Sequence, residues 1–227
     1  MSGTNAIKKL LFQEMPQDYS PRRLPEIVRL AGELNRQEAV VYRQGTARPV
    51  LFEIEKLVIR RFVPEDAPAV QELAIDRHHS EMRNRDHLWP TDEQGCREAT
   101  KWFSSQENMW AVCLKPDCRL IGMVVFNTVD ERNMMDVGHV WHTQYWGGGL
   151  DTEALSLMVQ YSFEVLEGDG VFAYNPLDCA PQIAPLLELG MVVTETSQAS
   201  FARDEKGEPI YFVGCKLVLE RGRWSAQ

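Results

Sequence analysis

An α+β domain, with helices laid on a mixed sheet, is the fold class this chain predicts, on three observations. Strand-like runs come in adjacent pairs, at 109–114 with 119–129 and at 191–203 with 209–220, each pair joined by a short turn. Helix-like stretches fall in blocks and do not alternate strand by strand, as a regular α/β sheet would require. Three consecutive glycines, Gly147, Gly148 and Gly149, separate a β-rich run from a helical one. A chain of 227 residues is long enough to bury a substantial core as one domain with an extension.

The elements follow in order. Over 24–40, Leu24, Ile27, Val28, Leu30, Ala31, Leu34 and Ala39 recur at steps of three and four, which predicts an amphipathic helix opened by Pro21 and Pro25. Its apolar face needs a cover, either the main domain or a second copy of the chain in a homodimer. Residues 44–49 read as a turn, so residues 1–50 form a helical extension with its linker and 51–227 the main domain. Leu57 opens a strand, and 64–79 and 92–106 read as helices, the first begun by Glu65 and Asp66. The 109–114 and 119–129 hairpin turns at Lys115-Pro116-Asp117-Cys118, and 135–142 is the next strand. Beyond the glycines, Leu150, Ala154, Met158, Tyr161 and Val165 recur at helical spacing along a helix over 151–167, a stripe that reads as core. A strand over 171–175, a helix ending near Gly190 and a hairpin turning at Asp204-Glu205-Lys206-Gly207 complete the domain.

Composition excludes several classes. The 24 Lys+Arg against 33 Asp+Glu give a net charge of −9, which argues against a nucleic-acid partner and suits a cationic one. Five cysteines, Cys96, Cys113, Cys118, Cys179 and Cys215, are an odd number without a Cys-x-x-Cys pair, which fits neither a disulfide framework nor a zinc knuckle. A reducing compartment follows. Residues 1–11 are too weakly apolar for a signal segment, and no run approaches the roughly 20 apolar residues a bilayer demands. The expected location is the cytoplasm, with no membrane partner.

The glycine loop carries the chemistry. Bare backbone at Gly147, Gly148 and Gly149 lets a ligand approach the main chain, and the helix that follows offers N–H groups and the positive end of its dipole, which together favour phosphate. The Lys-Ser/Thr ending of a nucleotide P-loop and the Gly-x-Gly-x-x-Gly spacing of dinucleotide folds are both missing. Gln144-Tyr145-Trp146-Gly147-Gly148-Gly149 instead resembles Gln-x-x-Gly-x-Gly, the acyl-CoA loop of the GNAT N-acetyltransferases. The whole stretch from Asp136 to Gly149 is similar to the acidic strand, linker and Tyr-Trp-Gly-x-Gly loop of the ribosomal-protein N-acetyltransferase branch. Leu57 to Ala67, Val171 to Asn175 and Ala184 to Met191 resemble further landmarks of that branch in the right order.

The resemblance implies a mostly antiparallel seven-stranded sheet, flanked by helices, whose fourth and fifth strands splay apart. It also implies an N-acetyltransferase that moves an acetyl group from acetyl-CoA, its acyl-donor cosubstrate, to a primary amine by direct attack in a ternary complex, with no metal. The acceptor would be an amine-bearing small molecule or a protein N-terminus. The pantetheine arm would lie along the edge at His139, Val140 and Trp141, and the pyrophosphate on Gln144, Tyr145, Trp146, Gly147, Gly148, Gly149, Leu150 and Asp151, with Asn175 nearby. Asp136 is the expected base, because an ammonium group must lose a proton before it attacks. His139, and after it His142, is an alternative base, since imidazole titrates near neutrality. Strand alternation sets Asp136 and His139 on opposite faces unless a bulge intervenes, and Asp136, His139 and His142 on one extended segment do not form a metal site.

Two departures from the family pattern stand out. Gly148 occupies a position where the family commonly has Lys or Arg, and Cys179 and Gln182 stand where it has Asn and Ser, which leaves the general acid unassigned. Cys179 could serve as a nucleophile or as a small residue at a helix start. The rival reading is a noncatalytic acyl-CoA-binding or regulatory module that keeps the fold.

Overall fold

The computed structural model describes residues 50–224, so the helix expected over 24–40 lies outside the described residues. Eight strands and five helices follow in the order β1 (Val50–Glu53), β2 (Leu57–Arg61), α1 (Ala67–His79), α2 (Glu93–Ser105), β3 (Met109–Leu114), β4 (Arg119–Val129), β5 (Met134–Trp141), α3 (Leu150–Glu164), β6 (Gly170–Pro176), α4 (Ala180–Glu188), β7 (Val192–Arg203), β8 (Pro209–Glu220) and α5 (Arg221–Trp224). The strands form one open sheet in the order β1-β2-β3-β4-β5-β6-β8-β7.

That is one strand more than expected. The addition is β1, which pairs antiparallel with β2 through Val50↔Arg60, Phe52↔Ile59 and Glu53↔Val58. Four residues directly after a proline are too few to show a period, so the segment reads as linker until its partner strand is in place.

Strand alternation divides the core into two layers. Ile59, Trp110, Phe126, Val137 and Trp141 face α3 and α4, where Leu155, Met158 and Leu186 meet them. Val58, Ala111, Met123, Val125 and Val140 face α1 and α2, against Val70, Leu73 and Phe103. Both faces are therefore covered, and polar side chains between the layers must be paired. Arg60 meets that demand: its Nη1 and Nη2 donate to the two oxygens of Asp66 at 2.8 and 2.7 Å, both groups buried. Asp66 also accepts from the Val63 N–H at 2.9 Å, which fixes the turn that launches α1. Asp92 starts α2 by accepting from the Gly95 N–H at 2.8 Å.

Every strand pairing is antiparallel except β5 with β6. That parallel ladder has only three rungs, Met134↔Gly170, Met135↔Val171 and Asp136↔Phe172, and the strands then separate. β5 stays on β4 as far as Trp141, and β6 stays on β8 as far as Pro176. The expected splay is present, and it begins beside Asp136. None of the five cysteines is in a disulfide, and none of the described helices is long and apolar enough to cross a membrane.

Candidate active site

A cavity of about 570 Å³ fills the splay, reaching from α1 and the α1–α2 connection across β5 to the ends of β6, β7 and β8. Asp136 and His139 both line it. β5 keeps an unbroken register with β4 from Val137 to Trp141, and the irregularity falls in β4 between Phe126 and Val129. Asp136 and His139 therefore do project from opposite faces. They share a cavity because β6 has left the sheet at that level.

Asp136 sits at the last rung of the parallel ladder with a half-buried carboxyl group. Burial pushes its pKa up to about 6, against the opposing effects of a hydrogen bond from the Asn127 amide and the charge of Lys216. Asn127 reaches it across Gly138. A β-carbon at 138 would stand 2.9 Å from Asn127 Nδ2 and 2.8 Å from Val125 Cγ1, so only glycine leaves the amide its path. Asn127 lies at the irregular end of β4, where strand parity gives no guide to facing.

His139 is 8% exposed and its environment differs. The indole Nε1 of Trp141 donates to His139 Nδ1 at 2.9 Å. Burial, reinforced by the positive charge of Arg77, lowers the imidazole pKa to about 4, so the ring is neutral at physiological pH. Nε2 has no partner among the described residues. Trp141 itself is buried in the α3 layer and does not line the cavity, whereas Val140 does. Arg77 on α1, which lines the cavity, is paired with Asp86, and Arg85 with Asp178.

His142 and the loop turn away from this cavity. Asp76 on α1 accepts from the Thr143 N–H at 2.8 Å and from the Thr143 hydroxyl at 2.7 Å, anchoring the short turn Thr143–Tyr145 against the domain. His142 Nδ1 lies 3.4 Å from the same carboxylate, and Gln144 is exposed. Tyr145, Trp146 and Leu150 pack partly on the α3 core. Gly147 and Gly149 have φ of +69° and +79°, the left-handed region that favours glycine, and a β-carbon on either would meet nothing within 4 Å. The loop's outer side is open, and it borders a shallower cleft that Lys56, Glu153 and Glu188 also line.

The inner side of the loop is filled by the chain itself. The Asp151 carboxylate, 2% exposed, accepts from the Thr152 N–H at 2.9 Å and from the N–H groups of Gly147 and its own residue. Its pKa is raised, burial being the larger influence over these hydrogen bonds. An incoming phosphate would therefore meet a carboxylate already on part of the donor set. The bare glycines fit a phosphate and Asp151 opposes one.

Asn175 is buried on β6 and lines the cavity. Gln182, 1% exposed, also lines it, and its Nε2 has no partner among the described residues. Cys179 is fully buried with its pKa raised by burial, and it lies outside the cavity lining, a setting for an inert thiol. No three of the His, Cys, Asp and Glu side chains among the described residues converge as a metal site would require.

The family model of the acetyltransferase (GNAT) domain matches residues 56–183. An uncharacterized N-acetyltransferase p20 of Bacillus licheniformis is 25% identical over 142 residues, covering 60% of this chain and 78% of that protein. Among solved structures, the ribosomal-protein-S5-alanine acetyltransferase of Vibrio fischeri shares the fold with a TM-score of 0.60 at 14% identity, over 76% of this chain and 97% of that one. RimJ of Mycobacterium smegmatis, solved in complex with CoA-disulfide, does so with a TM-score of 0.56 at 15% identity, over 73% and 82%. With its splayed parallel pair, its glycine loop before α3 and a family match over more than half its length, the chain belongs to the GNAT acetyltransferase family.

Proposed function

We propose that this protein transfers an acetyl group from acetyl-CoA to a primary amine, with Asp136 as the base. One observation carries the reading: a carboxyl group with a pKa of about 6 stands where the splay begins, lining a cavity large enough for an acceptor. At pH 7 to 8 such a carboxylate is mostly ionised, so it attracts the ammonium group and takes its proton, directly or through a water. Asn127 orients it by donating from its amide. The freed amine nitrogen then bonds to the acyl carbon, and the carbon–sulfur bond breaks with the electron pair leaving on sulfur. The open side of Gly147, Gly148 and Gly149 would receive the pyrophosphate, and the edge at His139, Val140 and Trp141 the pantetheine arm.

The cavity walls narrow the acceptor. Trp89, Phe103, Met123, Val125, Phe201 and Phe212 make them largely apolar. Arg77 with Asp86, and Arg85 with Asp178, offset each other, which leaves Asp136 as the carboxylate offered to a cation. That suits a single amine on an apolar body better than a polycation. A thiol-release assay with acetyl-CoA and a panel of amines tests the reading. Release that depends on an apolar monoamine supports it, and acetyl-CoA binding without amine-dependent release favours the noncatalytic module.

A further inference from the structure

Strand pairing puts two opposite charges beside one aromatic ring. Asp136 on β5 pairs with Phe172 on β6, and Phe172 with Val218 on β8, so the three share a rung. Two residues from Val218, and so on the same face, Lys216 pairs with Tyr174. Its Nζ stands 5.0 Å from the centre of the Phe172 ring and 5.8 Å from that of Tyr174. Tyr174 lines the cavity, as Asp136 does, which sets the ammonium group at the cavity's β6–β8 border. The two charges are within electrostatic reach: burial raises the Asp136 pKa, and the charge of Lys216 is one of the influences that pull it back.

Lys216 is held without being neutralised. The ring faces order its ammonium group and carry no net charge. Glu195 on β7 comes to 3.7 Å, beyond hydrogen-bond range, and its side chain is 69% exposed, a pairing worth little in water. The Lys216 side chain is itself 23% exposed, so an incoming group can reach it. Arg77 and Arg85, which line the cavity, are by contrast taken up by Asp86 and Asp178.

We propose that the acceptor is an amino carboxylic acid with an apolar side chain, its ammonium group on Asp136 and its carboxylate on the ammonium group of Lys216. This rests on the acetyl-transfer reading above and names its substrate class. An amine alone would meet a cation beside its binding carboxylate, and Lys216 would oppose it. An amine that carries its own carboxylate turns the same cation into a second point of attachment, and the two contacts together fix which way the nitrogen faces. The apolar walls then receive the side chain. A protein N-terminus has an amide where this acid has its carboxylate, so Lys216 also separates two acceptors that share the same reacting group.

The test uses the full chain in the thiol-release assay, with phenylalanine and phenylalaninamide as acceptors, which differ only in carboxylate against carboxamide. The unmodified protein is expected to have the higher kcat/KM for phenylalanine; equal values, or a preference for the amide, overturn the proposal, and the second outcome points to a protein N-terminus. Lys216→Met is expected to lower the phenylalanine-to-amide ratio by about 10-fold to 10²-fold, the scale of a hydrogen bond between charged groups, whereas Lys216→Arg should keep most of it. Each amine has the same basicity whichever variant is assayed, so a change in the ratio reports on residue 216, and an unchanged ratio in Lys216→Met overturns the proposal. A general loss of structure would lower both rates and leave their ratio alone. Should the position 216 variants fail to fold, Glu195→Gln decides: with the competing carboxylate gone from an exposed site, the ratio should rise by about threefold, and a ratio that stays or falls counts against the assignment. If neither acceptor nor any other amine is acetylated, the acetyl-transfer reading and this one fall together, whereas turnover of amines without preference for a carboxylate removes this one alone.

Discussion

The amide of Asn127 lies over Gly138 to reach the carboxylate of Asp136, and a single methyl group at residue 138 would occupy its path. The two side chains come from neighbouring strands, and the proposed base depends on both the donor and the gap that admits it.

Removing the donor should shift the base in a definite direction. The Asn127 hydrogen bond holds the Asp136 pKa down against burial, so Asn127→Ala should raise it above its present value of about 6. The acidic limb of kcat/KM then moves to higher pH. Gly138→Ala should displace the same amide and move the limb the same way, with Asn127 itself intact. A pH–rate profile that stays in place for both variants would show that this contact does not tune the base.

Asp136→Asn should trade activity for stability. Loss of the base lowers kcat/KM by about 10²-fold or more, with acetyl-CoA affinity unchanged. For stability the sign follows from the raised pKa: the folded chain protonates this group near 6, against 3.8 for an unperturbed carboxyl. That linkage favours the fold fully below 3.8 and its benefit disappears as pH rises through about 6, leaving a buried charge. Asn cannot ionise, so the variant should have a higher Tm than the parent at pH 8 and no advantage near pH 4, as scanning calorimetry at the two pH values would show.

The loop invites two gains of affinity. Gly148 has an ordinary negative φ and a β-carbon there would meet only the Tyr145 carbonyl oxygen at 3.5 Å, so Gly148→Lys should fold normally and add a cation beside the phosphate. Asp151→Ala should free the N–H groups of Gly147 and Thr152, tightening acetyl-CoA binding while lowering Tm slightly through the lost helix-start carboxylate. Titration calorimetry reads both. Looser binding in either variant would place the phosphate elsewhere.

The Arg60–Asp66 pair is structural. Asp66→Ala strands a buried guanidinium, a change that costs about 3–5 kcal/mol, and a chain of this size loses about 2–4 °C of Tm for each. Thermal unfolding checks it. A loss under 1 kcal/mol would mean that water reaches Arg60.

How much of this was legible in sequence depended on range. β5 and the glycine loop are short-range patterns, an alternating strand and bare residues before a helix, and their positions follow from the residues themselves. Asp76 is 67 residues from Thr143, and nothing local marks it as the anchor of the loop. Asn127 escaped because the β4 irregularity between Phe126 and Val129 breaks the parity by which facing is read. The hydrogen bond from the Trp141 indole to His139 Nδ1 is a fact of geometry that residue type does not encode. Asp151 read as a backbone donor, and only the folded loop shows its carboxylate turned onto the neighbouring N–H groups.

The three-rung junction between β5 and β6 has a mechanical consequence. It divides the main-chain ladder into two panels, β1 to β5 and β6 with β8 and β7, joined across that line mostly by apolar side chains that slide more readily than hydrogen bonds break. Such a chain has its softest fold line running directly through the cavity, so amide hydrogen exchange should report two groups of protection with the weakest protons along β5 beyond Asp136. Anything that lodges in the gap and bonds to that free edge stitches the panels together, and the slowing of exchange on both sides at once would measure how firmly.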